Sequence, residues 1–149
     1  MLPPDLNDSA RWMLRSVLGQ AALTLVMAAW MTAVRMPAMK QAGLSLQDAA
    51  HTSVLATRLP SSATRVADNY RHLSEQPTVF YAVALGIVLA GLADPTYAAC
   101  SWLYLGSRVA HSIVQATFNR VALRAALYTL SWIALAVMII RPIISWHLI

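Results

Sequence analysis

The chain has little charge and almost no cysteine for its length. Lys, Arg, Asp and Glu make up 11% of its 149 residues, whereas about 25% is typical of soluble domains. So few charges cannot cover the surface of a soluble globule, which excludes an ordinary soluble enzyme. A single cysteine, Cys100, excludes an intramolecular disulfide framework and a cysteine-based zinc site. We predict no metal site.

Hydrophobic residues are abundant instead, at 58% of the chain, and this fraction excludes a disordered protein. The net charge is +5, but the basic residues are few and lie between apolar runs. Such a distribution is typical of membrane topology, so we predict no nucleic-acid partner and expect membrane lipids around the chain.

Four apolar segments predict membrane-spanning helices, although the third is short before Arg108 and resumes its apolar character beyond it. We expect an all-α bundle of four transmembrane helices in a single integral membrane domain, residues 1–149, with helices near 13–36, 62–93, 95–118 and 121–141. Asp94 and Pro95 predict a helix start, because aspartate caps helices and proline suits the first helical position. Pro37 and Gly43 are expected to end the first helix, and Ser61 or Ser62 to cap the second.

The basic residues predict the orientation of the chain. Five of them lie between positions 35 and 71, in and around the first long connection. Basic residues mark cytoplasmic loops, so we expect this connection in the cytoplasm and both termini outside it. We expect a multi-pass protein of a bacterial inner (cell) membrane.

Polar side chains recur at helical spacing within the apolar segments. Steps of four, three and four residues place them on one face of each helix. Ionisable groups are costly at membrane depth and normally face a bundle interior or a water-filled cavity. The stripes comprise Arg65, Asn69, His72 and Gln76 in the second segment, Tyr104, Arg108, His111 and Gln115 in the third, and Arg124 and Tyr128 in the fourth.

This set of side chains suits an anionic ligand with many hydrogen-bonding groups. Arginine binds carboxylates in a bidentate fork, Asn and Gln can bind a peptide backbone, and Glu75 can hold an ammonium group. A nearby cation favours the thiolate form of a bound thiol. Structural roles are the alternative. Arg108 can pair with Glu75 or Asp68, the Arg65 stripe can be a solvated helix extension, and Arg120 and Arg124 can be topology signals.

Several short motifs carry a resemblance to a known family. His72-Leu73-Ser74-Glu75, preceded by Arg65 and followed by Pro77, resembles the second-helix signature of the MAPEG family, the membrane-associated proteins in eicosanoid and glutathione metabolism. The run from Gly106 to His111 and the pair Asn119-Arg120 resemble third-helix motifs of its microsomal glutathione transferase branch. The resemblance covers roughly residues 61–141.

The resemblance implies a homotrimer of four-helix subunits that binds glutathione as a cosubstrate between neighbouring subunits. It places Arg65, Glu75, Arg108 and Arg120 at positions that hold glutathione. Arg120 is the expected stabiliser of the thiolate, with Arg124 as the alternative. The implied reaction is attack of this thiolate on a small lipophilic electrophile, or reduction of it, with the substrate entering from the bilayer. Asn69, His72, His111 and Gln115 complete the predicted binding set.

Two other functions stay open from the sequence. The chain can be a non-catalytic MAPEG-like membrane protein whose polar stripes are structural or bind another amphiphile. It can also be a haem-binding electron carrier, because His72 and His111 on facing helices can serve as two axial ligands.

Overall fold

The computed structural model describes residues 6–50, 55 and 57–146. This part of the chain contains four long α-helices, one short 3-10 helix and no β-strand. It therefore confirms the predicted all-α four-helix bundle. The elements are α1 (Asp8–Gln41), the 3-10 helix (Gln47–Ala50), α2 (Ser61–Leu89), α3 (Pro95–Ala116) and α4 (Val121–Trp146).

The first helix is longer than predicted at both ends. Asn7 caps it by accepting a hydrogen bond from the Ala10 N–H at 2.7 Å. Pro37 lies inside the helix, so the prediction that it ends the helix was wrong. Proline removes one backbone hydrogen bond, and membrane helices tolerate that loss. The chain turns away from the helix axis at Gly43, which has a φ of +64°. Glycine adopts this left-handed conformation at little steric cost because it has no Cβ atom.

The second helix starts and stops differently from the prediction. Its N-cap is Pro60, with no side-chain cap hydrogen bond, so neither Ser61 nor Ser62 caps it. The helix continues through Pro77 and ends at Leu89, four residues before the predicted end. Gly91 adopts a φ of +69°, and the Leu92 N–H donates to the Ile87 carbonyl at 3.0 Å. Such a left-handed closure stops a helix before its apolar run is exhausted.

The third helix begins where the sequence predicts. Asp94 accepts a hydrogen bond from the Tyr97 N–H at 3.0 Å, and Pro95 is the first helical residue. The helix ends at Ala116, slightly before the predicted position 118, and Asn119 follows with a φ of +52°. The fourth helix passes through Pro142 to Trp146, beyond the predicted end at 141.

An ion pair closes the end of the bundle at which α3 begins. The Arg141 guanidinium of α4 pairs with Asp94, and the Asn7 side-chain amide donates to the Ala93 carbonyl at 2.9 Å. Partial burial raises the pKa of Asp94, but the Tyr97 N–H and Arg141 outweigh that effect. The pKa of this carboxyl therefore lies below its ordinary value.

The helices pack with α1 against α2 and α3, and with α3 along α4. Gly19 lets α1 approach α3 closely, because a Cβ atom there would lie 2.7 Å from Leu105 Cδ2. Phe80 and Tyr104 stack in the core with ring centroids 4.1 Å apart. This packing holds α3 between the other helices, so its polar stripe faces the interior.

Two of the helices in the described part of the chain, α1 and α4, are long and apolar enough to cross a membrane by length and composition. The outward faces are apolar as well, with Leu25 71% exposed and Leu18 67% exposed. Large apolar side chains on the outside suit hydrocarbon surroundings.

Candidate functional site

An open pocket lies where α2 and α4 begin and α3 ends. Its volume is about 350 Å³. Its lining residues come from three helices and are His72, His111, Val121, Arg124, Ala125 and Tyr128. Three residues of the predicted binding and catalytic set, His72, His111 and Arg124, therefore meet in one place.

Three rings form a continuous wall of this pocket. The His111 ring lies 6.2 Å from the Tyr128 ring and 6.4 Å from the His72 ring, measured between centroids. His72 is exposed, whereas His111 is only 4% exposed. The Nδ1 atom of His111 has no hydrogen-bond partner among the described residues. The wall thus presents one accessible imidazole and one held inside the protein.

Arg108 lies behind this wall and does not line the pocket. Its side chain is fully buried, and its Cζ lies 5.7 Å from the Tyr128 ring centroid. Nη2 donates to the His72 carbonyl oxygen at 3.3 Å. Nε and Nη1 have no hydrogen-bond partner within residues 6–50, 55 and 57–146. A buried guanidinium with one weak partner is energetically costly.

No carboxylate of the described residues compensates Arg108. The ion pairs in this part of the chain are Arg11–Asp8, Arg71–Asp68 and Arg141–Asp94. Glu75 is exposed, and Asp68 pairs with Arg71 at 3.9 Å. The alternative in which Arg108 pairs with Glu75 or Asp68 is therefore not formed within one chain. Arg108 leaves positive charge close behind the pocket wall.

Arg124 and Arg120 differ in their relation to the pocket. Arg124 lines it, is half-buried, and donates through Nη1 to Asn119 Oδ1. The left-handed turn at Asn119 carries this acceptor between α3 and α4. Arg120 is exposed and is not among the lining residues. Arg124 is therefore the arginine that a ligand in this pocket would contact.

The remaining predicted residues lie away from the pocket lining. Asn69 and Gln115 are buried, as the helical spacing predicts, and both Asn69 amide atoms lack partners among the described residues. Arg65 is half-buried with an unpartnered Nε in the same part of the chain, and Glu75 is exposed. The stripes thus divide into a pocket wall, a buried polar interior and surface charges.

Gln20 of α1 is a polar residue that sequence reasoning missed. It is fully buried, and neither side-chain amide atom has a partner among the described residues. Its neighbour Gly19 packs on Leu105, which puts Gln20 within about one helical turn of the level of Arg108. The feature that could have predicted its burial is a single amide side chain in an otherwise apolar stretch of the first segment.

Comparison with known proteins identifies the family. The model of the MAPEG family matches residues 13–144, which is most of the chain. No curated protein and no solved structure was found to match the chain. The matched range includes the pocket and all of α2 and α3. The chain therefore belongs to the MAPEG family.

Proposed function

We propose that the protein is a glutathione-dependent transferase or peroxidase that acts on small lipophilic electrophiles in a membrane. The supporting observation is the pocket of His72, His111 and Arg124 with the uncompensated guanidinium of Arg108 behind it. Glutathione carries two carboxylates, an amine and a thiol. Its anionic groups are attracted by the charge of Arg124, which lines the pocket, and by the charge of Arg108 behind the pocket wall.

In the proposed reaction, Arg124 stabilises the glutathione thiolate. A guanidinium beside the sulfur lowers the free energy of the charged form and so favours the reactive nucleophile. The exposed imidazole of His72 can accept the thiol proton. In the transfer reaction the sulfur then forms a bond to the electrophilic carbon, and the leaving group departs with the bonding electron pair. Arg108 acts from behind the wall, through its charge.

We further propose a homotrimer in which glutathione lies between subunits. Glu75 and Arg120 are exposed on the protomer, so they reach a bound peptide only if it extends across the protomer surface. Burial of such a ligand against a neighbouring subunit would bring both residues into the site. We place the pocket on the cytoplasmic side of a bacterial inner membrane, with both termini outside, because the basic residues cluster around it.

Isothermal titration calorimetry tests glutathione binding to the full chain in detergent micelles. We expect a heat of binding with the wild type and at least about tenfold weaker binding by Arg124→Ala, since one charge-assisted contact accounts for about that factor. Arg71→Ala is the matched control, because Arg71 lies on the same end of the bundle but outside the pocket. Absence of heat at millimolar glutathione, or equal losses in both variants, would contradict the proposal.

Turnover distinguishes the enzyme from a non-catalytic MAPEG-like binding protein. An enzyme should consume glutathione and a model electrophile together, and Arg124→Ala should lose this activity more than binding alone explains. A protein that binds glutathione but never forms the conjugate or reduces a hydroperoxide would be the non-catalytic alternative. The Arg108–Glu75 pair expected of a purely structural stripe is not formed among the described residues.

A further inference from the structure

A second groove lies at the other end of the bundle, between the C-terminal halves of α2 and α4. Its volume is about 290 Å³. Its lining is apolar and includes Val83, Gly86, Ile87, Met138 and Ile143. A Cβ atom added to Gly86 would meet nothing within 4 Å, so the missing side chain helps to keep the groove open.

A smaller polar pocket continues this groove toward the end of the bundle. Its volume is about 130 Å³, and Leu92 and Pro142 border both spaces. The polar pocket contains the Asp94–Arg141 ion pair. The Arg141 guanidinium also lies 4.7 Å from the Tyr97 ring centroid. The Asp94 and Arg141 side chains are still 33% and 42% exposed, so a third group can reach both.

The two spaces together have the shape and polarity of an amphiphile. The groove lies on a hydrocarbon-facing side of the bundle, where an empty cleft would forfeit dispersion contacts and an acyl chain can fill it. The ion pair lies at the end of the bundle, between the N-cap of α3 and the C-terminal part of α4, where headgroups are expected. A purely anionic headgroup would meet Asp94 as well as Arg141. A zwitterionic headgroup complements both charges at once.

We propose that this composite site binds a zwitterionic phospholipid of the phosphatidylethanolamine type. One acyl chain lies between α2 and α4 against Gly86, the phosphate contacts Arg141, and the ammonium group contacts Asp94. Arginine is well suited to phosphate through its paired N–H donors. The site lies at the opposite end of the bundle from the glutathione pocket and does not depend on the proposed enzyme activity.

Native mass spectrometry of the delipidated full chain tests this site by titration with phosphatidylethanolamine and with phosphatidylglycerol of the same acyl chains. We expect tighter binding of phosphatidylethanolamine by the wild type. Gly86→Leu places a side chain in the groove and should weaken binding at least about tenfold, as loss of a buried chain contact predicts. Gly106→Leu is the matched control, because Gly106 is exposed on α3 and its added Cβ also meets nothing.

Arg141→Gln tests the headgroup contact separately. It should weaken phosphatidylethanolamine binding about tenfold, and Arg141→Lys should recover most of the loss. Three results would overturn the proposal: equal binding of the two lipids, unchanged binding by Gly86→Leu, or a Gly86→Leu variant that changes only the oligomer mass. The last result would show that a second copy of the chain covers the groove. Gly86→Leu leaves the ion pair intact. It therefore tests the proposal even if the Arg141 variants fail to fold.

Discussion

Replacing the buried Arg108 by methionine should stabilise the ligand-free protein while weakening the attraction of the pocket for an anion. The side chain is fully buried, and its only hydrogen bond to a described residue goes to the His72 carbonyl at 3.3 Å. Methionine is an unbranched side chain of similar volume, carries no charge and adapts to irregular space. The substitution therefore removes the guanidinium without leaving a large cavity.

The magnitude follows from the unpaired donors. Nε and Nη1 have no partner among the described residues, and each unsatisfied buried donor costs about 1–3 kcal/mol. The charge-assisted hydrogen bond that is lost contributes about 1.5–3 kcal/mol. We expect the free energy of unfolding to rise by about 1–3 kcal/mol, in the range seen when buried charges are replaced by apolar groups. This change corresponds to an increase in Tm of about 3 to 10 °C for a chain of this size.

Thermal unfolding in a single detergent, followed by circular dichroism, measures this change. Arg15→Met is the matched control, because Arg15 is exposed on α1 and its replacement should alter stability only slightly. Glu75→Gln should also leave the Tm unchanged, since Glu75 is exposed and makes no ion pair with a described residue. A clear drop in the Tm of Arg108→Met would refute the reasoning. A matching drop for Glu75→Gln would then identify Glu75 of a neighbouring subunit as the missing countercharge.

Two further predictions concern the packing of the bundle. Asp94→Asn keeps a helix-capping side chain but loses the charge that pairs with Arg141. The folded-state pKa of Asp94 lies below its ordinary value of 3.8, so the carboxylate stabilises the fold above that pH and loses this effect as the pH falls through the folded pKa. The Tm difference between wild type and Asp94→Asn should shrink below about pH 4, and a pH-independent difference would contradict the role of the charge. Gly19→Ala should lower the free energy of unfolding by at most about 1 kcal/mol, because overpacking against the terminal Cδ2 of Leu105 is offset in part by the helix propensity that alanine gains over glycine. Leu105→Ala should show non-additive coupling with it in a double-mutant cycle followed by thermal unfolding.

The sequence predicted the number and order of the helices, but not all of their ends. Long apolar segments and the helical spacing of polar residues are properties of neighbouring positions in the sequence, so they can be recognised without the tertiary structure. Pro37 does not stop α1, and the serines at 61 and 62 do not cap α2. Gly91 ends α2 before its apolar run is exhausted. These ends depend on which hydrogen bonds the backbone forms at each helix terminus. The hydrophobic pattern does not predict those hydrogen bonds.

The candidate site was likewise predicted only in part from the sequence. The spacing of Tyr104, Arg108, His111 and Gln115 correctly predicts one buried face, because 3.6 residues per turn determine that face. The spacing does not tell whether Arg108 touches the pocket or lies behind His72 and Tyr128. It also does not distinguish Arg124 from Arg120, since that choice depends on the left-handed turn at Asn119.

The sequence by itself determined the membrane class, the all-helical architecture and the inward-facing polar stripe. Each of these follows from composition and from the period of one helix. Only the tertiary structure decided which stripe residues meet, which arginine lines the pocket and which buried donors stay unpaired. Those outcomes depend on the register between helices, set by contacts such as Gly19 against Leu105, and on turn geometry at single residues. The scarcity of charge in the sequence indicates a membrane protein. The packing of the helices leaves Arg108 without a countercharge among the described residues.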